Sequence, residues 1–268
     1  MEFIQARSIF TPATGFIRRG GFDWTCNPYV GCVFGCTYCY AMFLPQSREP
    51  LDQWGRWLRA KQNAVEIAWK SRHRIAQAAV YLSSVTDPYQ PIERSLLLTR
   101  GILEAIIDVQ PRLLVQTRGP LVVRDVDLLA QLRHIRVNVS IPTDSDEVRQ
   151  LFEPKAPPLD RRWDAMEKLK SHGIAVGVCI TPMLPIAEPE RFVDRLAEFQ
   201  PDVLVVQSFH NSRGCFGADT GPKARKLLTQ IDWGVEEFHR VVDQLRRTGL
   251  RPLDGEAGFF PPGTDLTP

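Results

Sequence analysis

Along the chain, short apolar runs alternate with longer segments in which apolar positions recur every three to four residues. The short runs lie at Ala79–Ser84 (AVYLSS), Arg112–Thr117 (RLLVQT), Arg136–Ile141 (RVNVSI), Ile174–Thr181 (IAVGVCIT) and Val203–Ser208 (VLVVQS). Their Val, Ile and Leu content is that of parallel strands covered on both faces. Between them the helical period holds over Gln62–Lys70, Ser95–Gln110, Asp125–Leu132, Arg161–His172 and Pro189–Phe199, with a last stretch near Trp233–Thr248. Ser171-His172-Gly173 reads as a helix stop ahead of a strand. This alternation implies right-handed crossovers and a parallel sheet. One more strand ahead of a cysteine-rich segment makes about six βα units, short of the eight that close a full barrel. The expected fold class is α/β: a partial (β/α)6 TIM-like barrel. Residues 21–250 form its core, 1–20 an N-terminal extension and 251–268 an irregular tail. The tail is rich in Pro and Gly and is expected to run over the surface. Residues 42–60 form a second irregular insertion.

Composition narrows the picture only modestly. The 268 residues are 44% hydrophobic and 24% charged, enough to bury a core and too mixed for a disordered or fibrous chain. A formal charge of +2 argues against a broad phosphate-binding surface and leaves room for a local basic groove. The basic stretches Arg56–Lys61 and Lys70–Arg74 could contact a nucleic-acid backbone, although a solvated helix face is the commoner meaning of such runs. No run approaches the ~18 apolar residues of a membrane span. The first residues lack an apolar core followed by a small-residue cleavage site, so a cytoplasmic setting is expected.

Cysteine usage changes the picture more. Four of the 6 cysteines fall between Cys26 and Cys39, a clustering that reads as a metal site in a chain of this size. Cys32, Cys36 and Cys39 follow a Cys-x3-Cys-x2-Cys spacing. Three thiolates on so short a loop can ligate three irons of a [4Fe–4S] cluster. Structural zinc would want a fourth ligand, which Cys26 could supply.

The segment NPYVGC-x3-CTYCYA resembles the signature of the radical S-adenosylmethionine superfamily. Together with SSVTDPYQPIE (83–93), LTRGILE (98–104), QTRGPLVVRDVDLL (116–129), VNVSIPTD (137–144) and EPKAPPLDRRWDAMEKLKSHGI (153–174), it is similar to the spore photoproduct lyase-like, DNA repair photolyase-type branch over residues 20 to 210. The resemblance implies a [4Fe–4S] cluster and S-adenosylmethionine as cofactors. It also implies an external electron donor of flavodoxin or ferredoxin type, and a 5′-deoxyadenosyl radical that abstracts hydrogen from a substrate. In a barrel of this kind the working residues stand at the C-terminal ends of strands.

The resemblance also assigns individual residues. Cys32, Cys36 and Cys39 would hold the cluster. Tyr38 occupies the family's aromatic position beside the adenine, and Tyr40 either contacts the site or packs the loop. Ser84, Thr86 and Asp87 stand where the family binds the cofactor's amino group, although Thr86 and Asp87 could equally cap a turn. Arg118 suits the cofactor carboxylate. Ser140 and Thr143 stand at the ribose position, while Asp144 could be a helix cap. Arg124 and Asp125 pair structurally in this reading, and Cys179 is core. The branch's hydrogen-returning cysteine corresponds to Ser84 here, which puts reversal of a thymine lesion in doubt. Cys215 and Cys26 are the alternative donors, each also readable as a buried thiol. His210 reads more readily as a structural histidine. The substrate is then a DNA lesion or, alternatively, a modified nucleotide, peptide or metabolite. A non-catalytic metal-binding module is the competing class.

Overall fold

A computed structural model describes residues 1–47, 49–209 and 221–264. The strands, in chain order, are β1 (Glu2–Ile4), β2 (Phe10–Pro12), β3 (Trp24–Cys26), β4 (Tyr29–Val30), β5 (Arg59–Lys61), β6 (Ala79–Leu82), β7 (Arg112–Thr117), β8 (Ile135–Ser140), β9 (Ala175–Ile180), β10 (Val203–Val206) and β11 (Pro252–Asp254). Among the described residues they form two sheets. One has the order β11-β10-β9-β8-β7-β6-β3-β2, the other β1-β5-β4.

From β3 through β6, β7, β8 and β9 to β10, every neighbouring pair is parallel. These six strands are the expected partial barrel, with the cysteine loop after the first of them. At the edges β2 adds antiparallel to β3, and β11 adds parallel to β10. No pairing joins β2 to β11 among the described residues, so the barrel stays open.

Alternation along the strands sorts two apolar layers. Val80, Leu82, Leu113, Val115, Val137, Val139, Val176, Val178 and Leu204 face the helices. Ala79, Tyr81, Leu114, Cys179, Val203 and Val205 face the concave side with Phe22 and Phe259. Higher on the concave side the residues turn polar: Gln116, Asn138, Ser140 and Gln207.

Three expectations shift. The strand expected to reach Ser84 stops at Leu82, because Ser83 takes a left-handed φ of 69°. The helix expected over 95–110 breaks at Leu97 (φ 54°) into Glu93–Leu96 and Leu98–Ile106. The cause is Glu93, whose buried carboxylate accepts the Thr99 and Arg100 amides and so starts the second helix. The segment from Arg251 was expected on the surface. It instead supplies β11 and buries Phe259 under the open side of the barrel. The unpaired edge of β10 and the apolar Leu253 and Phe259 account for its position. There Arg19, from the helix Gly15–Arg19, forms a two-pronged ion pair with Glu256 at 2.7 and 3.0 Å, bridging the gap.

Candidate active site

The cysteine loop leaves β3 and is tied down from several sides. The Tyr29 hydroxyl donates to the buried Glu93 carboxylate, which Arg124 also meets at 2.8 Å. Thr86 Oγ1 donates to the Gly31 carbonyl at 2.6 Å, and the Val33 amide donates to Gln90 Oε1 at 3.1 Å. The Thr37 amide donates to the Phe152 carbonyl at 2.8 Å. Gly35 and Gly55 pack back to back with φ of 63° and 84°, and a Cβ on Gly55 would lie 2.6 Å from the Gly35 Cα. The irregular insertion is therefore a brace for this loop, and its glycine permits the close approach.

Cys32, Cys36 and Cys39 line a cavity of about 180 Å3 at the C-terminal ends of the strands. Burial pushes all three thiols above their ordinary pKa. Thiols so placed become thiolate ligands when cationic metal supplies the missing counter-charge. Among the described residues, no three His, Cys, Asp or Glu side chains gather around a single ion. A cubane places its thiolate ligands on different irons, so convergence on one point is not required of it.

Tyr38, Tyr40, Ser84, Thr86, Asp87, Arg118 and Ser140 line the same cavity. Several also have structural partners. Asp87 accepts the Tyr89 amide (2.9 Å), the Thr117 hydroxyl (2.7 Å) and the Arg118 amide (2.8 Å), while burial raises its pKa. Ser140 Oγ accepts from Gln116 Nε2 at 3.1 Å. The Tyr40 hydroxyl donates to the Ser84 carbonyl. Arg124 pairs with Asp125 at 2.7 Å, as the sequence suggests.

Two expected residues stand elsewhere. Thr143 is buried and donates to the Pro185 carbonyl at 2.6 Å, a loop clamp outside the cavity lining. Cys26 is buried in the helix-side core, with burial pushing its thiol up to about 12. It is not brought together with the triplet. Cys179 is fully buried on the concave side, as the core reading has it. Cys215 and His210 lie outside the described residues.

Sequence reasoning missed the group beneath Tyr38. Glu153 is fully buried and accepts from the Tyr38 hydroxyl, from Arg118 Nε at 2.7 Å and from Arg162. Burial alone would raise its pKa; Arg162 and Arg118 overcome that and hold it at about 2. Both Glu153 and Arg162 lie in the EPKAPPLDRR stretch, where five of ten residues are charged and no local pattern singles these two out. Ser83 was missed as well. Its Oγ is buried at the cavity wall and has no hydrogen-bond partner. Gln116 and Gln207 also line the cavity, and their polar interruption of apolar runs marked them.

The radical SAM superfamily model matches residues 26–199, from the end of β3 to the end of the helix Pro189–Phe199. The chain belongs to the radical SAM superfamily. An uncharacterized protein of Methanocaldococcus jannaschii is 34% identical over 165 residues, 62% of this chain and 62% of that protein. A radical SAM Nα-GlyT isomerase of Pseudomonas phage M6 is 26% identical over 160 residues, 59% of this chain and 33% of that one. The chain thus spans about three fifths or less of these relatives. Among solved structures, spore photoproduct lyase complexed with dinucleoside spore photoproduct has a TM-score of 0.62 at 19% identity, covering 92% of this chain and 77% of that one. Streptococcus suis SuiB bound to S-adenosylmethionine has a TM-score of 0.55 at 14% identity, covering 89% and 52%. At such identities the likeness is one of fold.

Radical SAM proteins hold a [4Fe–4S] cluster and S-adenosylmethionine, and the residues here fit both. The cysteines of the family spacing share one cavity wall, and the orphaned Ser83 hydroxyl stands in the same lining. No described helix is long and apolar enough to cross a membrane.

Proposed function

We propose that this protein is an enzyme that cleaves S-adenosylmethionine reductively and directs the resulting radical at a bound substrate. The observation that carries the reading is the shared cavity of Cys32, Cys36, Cys39, Arg118 and the partnerless Ser83 hydroxyl. The triplet would hold the cluster, and Tyr38, Ser83, Ser84, Arg118 and Ser140 would hold S-adenosylmethionine. When bound, these cofactors supply an electron and a 5′-deoxyadenosyl radical, the part of the chemistry that side chains lack.

The chain's own residues orient and exclude. Arg118 is fixed by Glu153 at 2.7 Å and lies 5.8 Å over the Tyr38 ring, so a cationic donor is preorganised toward an anionic group in the cavity. Asp87 keeps the ends of β6 and β7 together. Phe16, Trp54, Phe209 and Phe259 form apolar walls that limit water. An external one-electron donor of flavodoxin or ferredoxin type would reduce the site.

Damaged DNA is the first substrate to test, given the fold shared with spore photoproduct lyase. Deoxyadenosine formation stimulated by ultraviolet-irradiated DNA over undamaged DNA supports a lesion substrate. Equal rates with both, and with neither, direct the search to a nucleotide, peptide or metabolite.

A further inference from the structure

A second cavity of about 1000 Å3 adjoins the first. The two share Phe16, Tyr40, Trp54, Ser84 and Val85 as walls. Tyr40 is the partition, its hydroxyl fixed on the Ser84 carbonyl and its ring meeting Phe16 edge-on at 6.1 Å. A group lying on the far side of this ring is one side chain away from the cysteine cavity.

The larger cavity has an uneven lining. Phe16, Tyr29, Tyr40, Phe43, Trp54 and Trp57 give it an aromatic part, and Asn27, Gln46 and Ser47 a polar one. Among the described residues, Lys61 at the end of β5 is the charged residue of this wall, and no Asp or Glu lines it. Burial lowers the Lys61 pKa, as expected of an ammonium withdrawn from water, and the Cys26 thiol opposes this only in part. No carboxylate lies within ion-pair distance of Lys61 among the described residues. Arg59 on the same strand is paired with both Glu2 and Glu49. The strand thus satisfies one cation and leaves the other facing a cavity. An ammonium in this position is costly until an anion joins it.

We propose that this cavity is the site of the organic substrate, and that Lys61 takes its anionic group, a phosphate or a carboxylate. The body of the substrate lies against the aromatic wall formed by Tyr40 and Trp54. The volume suits a small-molecule ligand, and a lysine serves as a compact point charge for either anion. This deepens the enzymatic reading and rests on it for the chemistry, although the binding itself does not.

The test titrates the reconstituted protein with phenyl phosphate, phenylacetate and uncharged benzyl alcohol, read by tryptophan fluorescence, to which Trp54 and Trp57 at the cavity wall contribute. The expected result is saturable quenching by at least one anion and none by benzyl alcohol. Lys61→Met should weaken anion binding about tenfold or more, and Lys61→Arg should keep it within about threefold. The preferred anion tells phosphate from carboxylate. In the wild-type protein, a bound anion should also protect Lys61 from acetic anhydride, which keeps the test open if Lys61→Met does not fold. Equal binding to wild type and Lys61→Met, absence of anion binding, or absence of protection overturns the proposal. The deoxyadenosine assay on wild type is unaffected by any of these outcomes, so the two readings fail separately.

Discussion

Arg118, one residue beyond β7, places its Nε 2.7 Å from Oε1 of the fully buried Glu153. Glu153 lies in the stretch after the helix Asp146–Phe152, so this pair joins two βα units beneath the cysteine cavity. Arg162 and Tyr38 complete the group. Replacing Glu153 by Gln leaves two guanidinium groups short of their carboxylate. The expected cost is about 3–5 kcal/mol in urea unfolding, accompanied by weaker binding of S-adenosylmethionine. Glu153→Gln with wild-type stability would remove this network from the account.

The same carboxylate makes a prediction about acid. Its folded pKa of about 2 lies below the ordinary 4.5, so the charged form is favoured in the fold. Its stabilisation is present above pH 4.5 and is lost as pH falls from there toward 2. Urea midpoints measured between pH 5 and pH 3 should fall more steeply for wild type than for Glu153→Gln. Parallel slopes would show that Glu153 is not held ionised.

Cys26 and Cys36 should behave differently. Cys26→Ser puts a hydroxyl into an apolar core and should cost about 1–3 kcal/mol without changing iron bound after anaerobic reconstitution. Cys36→Ala should abolish iron binding. Loss of iron in Cys26→Ser, in protein shown to be folded, would revive the four-cysteine reading.

At Gly55, alanine meets both a φ of 84° and the neighbouring Gly35 backbone. Gly55→Ala should destabilise by about 1–3 kcal/mol and lower iron retention, because it pushes on the loop between Cys32 and Cys36. By contrast, the Arg19–Glu256 pair joins an exposed guanidinium to a half-buried carboxylate and stays in contact with water. Glu256→Gln should move the unfolding midpoint by less than about 1 kcal/mol equivalent. A large effect there would mean that the open side of the barrel depends on this bridge.

The parallel strands were readable because burial on both faces forces continuous apolar runs, and β7 falls on the expected residues. The triplet was readable because its ligands are local in sequence. β11 was not, since Pro252 and the glycines around it mark a loop, and only the unpaired edge of β10 makes them a strand. Glu153 was not, since its role depends on Arg118, 35 residues away in sequence. Ser83 escaped because a left-handed serine looks like an ordinary strand end until its neighbours are known. The expected helix over 95–110 failed for a related reason: the Glu93 carboxylate competes locally for backbone amides.

The most direct test of the central claim is 5′-deoxyadenosine formation by the anaerobically reconstituted protein, given S-adenosylmethionine and dithionite. The expected result is about four irons per chain with acid-labile sulfide, 5′-deoxyadenosine from wild type and none from Cys36→Ala. One zinc per chain, no sulfide and no 5′-deoxyadenosine would contradict it.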